Sequence, residues 1–128
     1  MHKGSCLCGD VRFRIDGPMR SITACHCRQC RKQSGHLWAV TSAAKDDLRF
    51  DCDDGLTWYR ASTAARRGFC NRCGSTLFWK PDGEPRICIT AASLDEPTGL
   101  RLEKHVFVAD KGDYYDIDDG LPQHDADG

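Results

Sequence analysis

GFCNRCGSTLFW, residues 68–79, sets two cysteines three positions apart, follows the second with a glycine and runs on into an apolar, aromatic stretch. In C-x-x-C a tight turn aims two thiolates at one point. The glycine behind it, here Gly74, can take the positive φ that such a turn often requires. TLFWK (76–80) is short, aromatic and bounded by turn residues, the composition of a strand. The segment therefore reads as a hairpin tip carrying half of a tetrahedral metal site, and the other half has to come from elsewhere.

The other half lies in GSCLCG, residues 4–9. On extended backbone the residues of a C-x-C pair project to the same side. Cys6, Cys8, Cys70 and Cys73 thus make four thiolates, the donor set of a closed structural zinc site joining the N-terminal strand to the hairpin. Cys25, Cys27 and Cys30 crowd into ACHCRQC (24–30), while Cys52 and Cys88 stand alone. Three protein ligands with an open position are the arrangement of zinc that does chemistry, so Cys25, Cys27 and Cys30 are candidate metal ligands and candidate catalytic residues.

Other partitions stay open. The middle cluster could be a second structural site completed by His26, His36 or Cys52. It could instead pair with Cys70 and Cys73 and leave Cys6 and Cys8 redox-active. A thioredoxin-like role for Cys70 and Cys73 lacks the βαβ pattern it needs. His26 points away from two co-directed cysteines and is expected to orient the site through hydrogen bonds. His36 and His105 read as ordinary polar residues, Cys52 and Cys88 as small buried hydrophobes. Arg28, Arg31 and Lys32 flank the middle cluster and would suit an anionic ligand, making them candidate substrate-binding residues.

The rest of the chain has a period of two. VRFRI (11–15) sets Val11, Phe13 and Ile15 against Arg12 and Arg14; RICIT (86–90) sets Ile87 and Ile89 on one side. HLWAV (36–40), LTWYR (56–60) and RLEKHVFV (101–108) are further strand candidates, with Leu102, Val106 and Val108 on one face. Turn signals recur at DGP (16–18), DDG (53–55) and PDG (81–83), so the class is mainly β with antiparallel sheets. Trp58, Tyr59, Phe78 and Trp79 are expected in the core. RQCRKQSG (28–35) allows one to two helical turns closed by Gly35, and Ser93 to Glu96 has the form of a capping box that Pro97 limits to a single turn.

The 128 residues suit one domain, expected at 1–122, with a loose polar tail at 123–128. With 18 basic against 19 acidic residues there is no cationic surplus for gripping nucleic acid. No apolar run reaches the roughly 20 residues of a bilayer helix, and the N-terminus lacks the apolar core of a secretion signal. A cytoplasmic location is therefore expected, where thiols stay reduced and clustered cysteines read as metal ligands before disulfides. Nine cysteines could in any case not all pair.

GSCLCGDVRF, ACHCRQCRKQSG, GFCNRCGSTLFW and the closing KHVFV…YYDIDDGLPQ together resemble the glutathione-dependent formaldehyde-activating family, the CENP-V/GFA domain, over about residues 4–122. The resemblance implies an Mss4-like antiparallel β fold stabilised by zinc. It implies a structural zinc on Cys6, Cys8, Cys70 and Cys73, and a second zinc on Cys25, Cys27 and Cys30 near a glutathione site. It implies a carbon–sulfur lyase activity, the condensation of formaldehyde with glutathione to S-hydroxymethylglutathione. Where the family often reads Lys-Ala-Pro-Trp-Tyr near its end, this chain has Lys111-Gly-Asp-Tyr-Tyr115. The expected partner is a small-molecule thiol such as glutathione, with neither nucleic acid nor membrane. The competing readings are a non-catalytic zinc-stabilised binding module and a thiol redox sensor.

Overall fold

The computed structural model describes residues 1–128. Its elements in chain order are β1 (His2–Ser5), β2 (Arg12–Ile15), β3 (Ile22–Cys25), α1 (Arg28–Ser34), β4 (Trp38–Ala44), β5 (Leu48–Cys52), β6 (Leu56–Arg60), β7 (Ala65–Cys70), β8 (Thr76–Pro81), β9 (Arg86–Thr90) and β10 (Leu102–Val106). The chain is mainly β, as its period-two pattern dictates. Its contacts gather in two units, one of residues 1–20 and 41–99, the other of residues 21–40 and 100–128.

In the first unit β1, β2 and β5 form an antiparallel sheet in that order. The alternation of VRFRI works as written: Val11, Phe13 and Ile15 are buried, while Arg12 and Arg14 face water. The second set of strands runs β9-β8-β7-β6, each antiparallel to its neighbour. Ile87 and Ile89, with Phe78 opposite Ile89, are buried on one face, and Leu77 is buried on the other. Phe13 meets Phe78 edge-on with ring centroids 5.2 Å apart, the geometry aromatic quadrupoles prefer. Tyr59, expected in the core, is 65% exposed, because β6 ends its sheet and has one neighbouring strand only. The Ser93–Glu96 box does not form. Ser93 closes a 3-10 turn over Ala91–Ser93, and its hydroxyl donates back to the Thr90 carbonyl at 2.7 Å.

In the second unit β3 pairs with the start of β4 antiparallel and with β10 parallel. The parallel pair departs from the antiparallel expectation and makes the architecture mixed. β10 stops at Val106 because Phe107 takes a left-handed φ of 55° and a 3-10 turn follows at Val108–Asp110. Leu102 is 38% exposed, whereas His105 at 4% and Val106 at 5% are both buried, so β10 is exposed at its start and buried on both faces at its end. α1 covers the predicted turns and closes on Gly35, whose φ of 94° lets its N–H reach the Arg31 carbonyl at 2.9 Å. Residues 123–128, expected to hang loose, run beside β10: His124 N–H donates to the His105 carbonyl at 2.9 Å and Phe107 N–H to the Ala126 carbonyl at 3.0 Å.

Candidate metal centres

The first cluster is built by two turns. Cys6 leaves β1 and Cys8 sits in the bend that follows, rather than on extended strand, while Cys6 N–H donates to the Val11 carbonyl at 3.0 Å to close the loop. Cys70 ends β7. The Gly74 N–H donates to the Cys70 carbonyl at 2.8 Å with Gly74 at φ 80°, the conformation the sequence asked of it. A side chain at Gly55 would bring its Cβ to 2.8 Å from the Cys70 sulfur, so that position has room for glycine alone. The four sulfurs of Cys6, Cys8, Cys70 and Cys73 lie within 4.8 Å of one another, and both Cys6–Cys8 and Cys8–Cys70 measure 3.7 Å. Tetrahedral zinc with Zn–S near 2.3 Å would set its sulfurs about 3.8 Å apart, whereas a disulfide needs roughly 2.0 Å.

The electrostatics of this cluster ask for a cation. The Asp10 backbone N–H favours a thiolate on Cys8, but burial and the Cys6, Cys73 and Cys70 sulfurs outweigh it and push that thiol up to about 12. Cys73 goes the other way, down to about 5, held first by the Ser75 hydroxyl. Sulfurs this close share their protons unless positive charge joins them, since like charges raise one another's pKa. The peptide adds a hydrogen bond from Val11 N–H to the Cys6 sulfur at 3.3 Å.

The second cluster forms where β3 passes into α1. Cys25 ends the strand, and Cys27 caps the helix in extended conformation (φ −65°, ψ 154°). Cys30 lies buried in the first helical turn, its N–H donating to the Cys27 sulfur at 3.3 Å. The three sulfurs also lie within 4.8 Å of one another. Cys27 and Cys30, and then burial, push the Cys25 thiol well above the ordinary thiol range.

His26, between the first two, is completely buried. Its backbone N–H donates to the Val106 carbonyl at 3.1 Å, its Nδ1 lies 2.5 Å from the Tyr115 hydroxyl and its Nε2 2.8 Å from His105 Nδ1. His105 Nε2 in turn lies 2.7 Å from an Asp119 carboxylate oxygen. Burial, followed by His105, His36 and Lys111, lowers the His26 pKa to about 4, so the ring is neutral at pH 7. Both its nitrogens are engaged, which removes it as a fourth ligand.

Arg28, Arg31 and Lys32 come together with Gly35 and Tyr114 around a pocket of about 470 Å³. Arg31 donates from Nη1 to the Asp110 carbonyl at 2.8 Å, while its buried Nε has no partner. His36 Nδ1 lies 2.6 Å from the Tyr114 hydroxyl. Cys52 stands outside both clusters and donates its thiol to the Asp10 carbonyl at 3.3 Å. Cys88 also stands apart, its thiol pKa raised by burial. None of the nine cysteines is in a disulfide. The sequence reading missed Tyr114, Tyr115 and Asp119 and undervalued His105. Tyr114, Tyr115 and Asp119 lie in the quoted YYDIDDGLPQ stretch, and His105 was signalled by its place among the apolar residues of KHVFV.

Two separate cysteine clusters on a small β scaffold, of four and of three sulfurs, define a protein that could hold metal ions at both. A family model described as glutathione-dependent formaldehyde-activating enzyme matches residues 1–110, and the chain belongs to that family. A relative from Halomonas elongata named for glutathione-dependent formaldehyde activation is 29% identical over 126 residues, covering 91% of this chain and 80% of its own. An uncharacterized lyase of Schizosaccharomyces pombe is 25% identical over 125 residues, covering 91% and 85%. The crystal structure of a Rhodobacter sphaeroides protein has the same fold, with a TM-score of 0.62 at 22% identity over 94% of this chain and 98% of that one. No helix is long and apolar enough to cross a membrane.

Proposed function

We propose that the chain is a two-zinc carbon–sulfur lyase that makes and breaks thiol adducts of small aldehydes, of the S-hydroxymethylglutathione type. The observation carrying this reading is the contrast between the clusters: four close sulfurs are the number a tetrahedral ion needs, whereas three would leave a corner to a ligand from outside. The thiolate donor set suits zinc, with Cys6, Cys8, Cys70 and Cys73 holding a structural ion and Cys25, Cys27 and Cys30 a reactive one. Zinc in the three-cysteine centre would supply a Lewis-acidic position at which a thiol is deprotonated at neutral pH.

The reaction moves few atoms. In the forward direction a sulfur–carbon bond forms, the carbonyl π pair passes to oxygen, and the proton given up by sulfur ends on that oxygen; the reverse cleaves the same bond. Arg28, Arg31 and Lys32 hold the carboxylates of the thiol substrate in the adjoining pocket. Binding there turns a bimolecular encounter into a positioned one. A reducing cytoplasm, rich in glutathione, suits both thiolate centres.

The test joins metal analysis to exchange kinetics. Two zinc ions per chain are expected, with NMR exchange between formaldehyde and glutathione accelerated by catalytic amounts of protein and not by its Cys27→Ser variant. Exchange rates unchanged at stoichiometric protein would sink the lyase assignment.

A further inference from the structure

Asp119 and Tyr115 both lie beyond residue 110, where the family match ends, yet the two residues terminate the hydrogen-bonded chain that runs past the three-cysteine centre. We propose that they are positioning residues for that centre: Asp119 through His105, and Tyr115 directly, hold His26 in a single tautomer and so keep Cys25 and Cys27 aimed at one point. The inference rests on the reading that this centre holds a metal.

The donors in the chain can be assigned from one end. An ionised carboxylate only accepts, so the 2.7 Å contact to Asp119 puts a proton on His105 Nε2. With one proton on each ring, His105 Nδ1 accepts from His26 Nε2–H at 2.8 Å. His26 Nδ1 is bare in its turn and accepts from the Tyr115 hydroxyl at 2.5 Å. Every proton points toward Asp119 and no bond in the sequence of three conflicts with another. Asp119 is 39% exposed, whereas His105 and His26 are buried, so a carboxylate at the rim orders the inner two.

Tyr115 is itself built in. Its ring stacks on His26 with centroids 5.6 Å apart, and Lys111 Nζ donates to its backbone carbonyl at 2.6 Å. The lever on the cysteines is geometric. His26 is held at three points, its backbone N–H on the Val106 carbonyl at 3.1 Å and both its ring nitrogens, so the chain between Cys25 and Cys27 is pinned. Loosening the His26 ring would free that segment and the two cysteines it joins, and groups that hold a site's ligands from behind typically matter 10–100-fold in metal affinity.

The experiment compares the full chain with Tyr115→Phe, Asp119→Asn and Asp119→Ala, using ¹⁵N-histidine labelling and zinc competition against a chromophoric chelator. Long-range ¹H–¹⁵N spectra report which ring nitrogen is protonated. The parent should show His26 and His105 as Nε2–H tautomers. Asp119→Asn should keep that pattern, because its carboxamide oxygen still accepts. Asp119→Ala should give mixed tautomers and weaken the second zinc about 10–100-fold without touching the first, and Tyr115→Phe should weaken the second zinc in the same sense. A purely structural role would lower the melting temperature of the variants and leave tautomers and the ratio of the two affinities alone. Unmixed tautomers in Asp119→Ala, or mixed tautomers with unchanged zinc affinity, overturn the positioning role by itself. A parent chain that takes up one zinc overturns the two-centre reading and the positioning role with it.

Discussion

The sulfurs of Cys8 and Cys70, 62 positions apart in the chain, lie 3.7 Å from each other. Cys8 sits in a bend behind one sheet and Cys70 at the end of a strand in the other, so the contact closes a long loop. Holding such sulfurs together as thiolates requires a cation, and the binding free energy of a structural zinc, of order 10–16 kcal/mol in small zinc-finger peptides, matches or exceeds the roughly 5–15 kcal/mol that stabilises a whole domain. Cys70→Ser, or the parent stripped by a strong chelator, should therefore lose its cooperative thermal transition in circular dichroism. Cys52→Ser, outside both clusters, should melt within a few degrees of the parent. A Cys70→Ser protein that melts like the parent would remove the structural role.

Cys27 offers the complementary case. It caps α1 from a partly exposed position, and its sulfur accepts a hydrogen bond from Cys30 N–H. Cys27→Ser keeps a hydroxyl able to accept that bond, because serine is a good helix cap. Bound zinc should fall from two per chain to one by elemental analysis, with the melting temperature lowered by no more than several degrees and aldehyde–thiol exchange lost.

How far the sequence carried this architecture follows from the range of each signal. Alternation in VRFRI is local, and Val11, Phe13 and Ile15 are buried as it demands. Cysteine spacing is also local, and a C-x-x-C turn with Gly74 behind it forms wherever the chain goes. The parallel pairing of β10 with β3 has no local signature, because which strands meet is decided by the loops and packing between them. His105 was misjudged for the same reason. A polar residue in a strand reads as exposed unless its partners are known, and those partners are His26, 79 positions upstream, and Asp119. Burial is tolerable there only because each ring nitrogen is bonded.

Asp119 also carries a pH dependence. The Leu121 backbone N–H, followed by the His105 ring, holds its carboxyl pKa below the ordinary 3.8. A group whose folded pKa lies below its unfolded value binds more protons when unfolded. Its stabilising contribution is therefore present above about pH 3.8 and is lost as pH falls through the lower, folded value. A ¹³C-detected carboxyl titration should place the Asp119 midpoint below 3.8 in the parent, and His105→Gln should move it upward. A parent midpoint at or above 3.8 would contradict the hydrogen-bond geometry.

The cationic pocket on α1 makes the last prediction. Arg28 and Lys32 are exposed, so their attraction for an anion is strongly screened by salt, with a Debye length of about 8 Å near physiological ionic strength. Arg31 differs: its Nη1 is fixed on the Asp110 carbonyl and its buried Nε is unpartnered, so the guanidinium is held in place before a ligand arrives. A preorganised donor loses less entropy on binding than a free one. Arg31→Gln should therefore raise KM for glutathione about tenfold with little change in kcat, whereas Arg28→Gln should raise it only about two- to threefold, an effect that vanishes at high salt. An uncharged thiol such as 2-mercaptoethanol should be indifferent to both changes. Steady-state kinetics with the two thiols at two ionic strengths check the ranking. Equal losses for charged and uncharged thiols would mean that these side chains support α1 rather than hold the substrate.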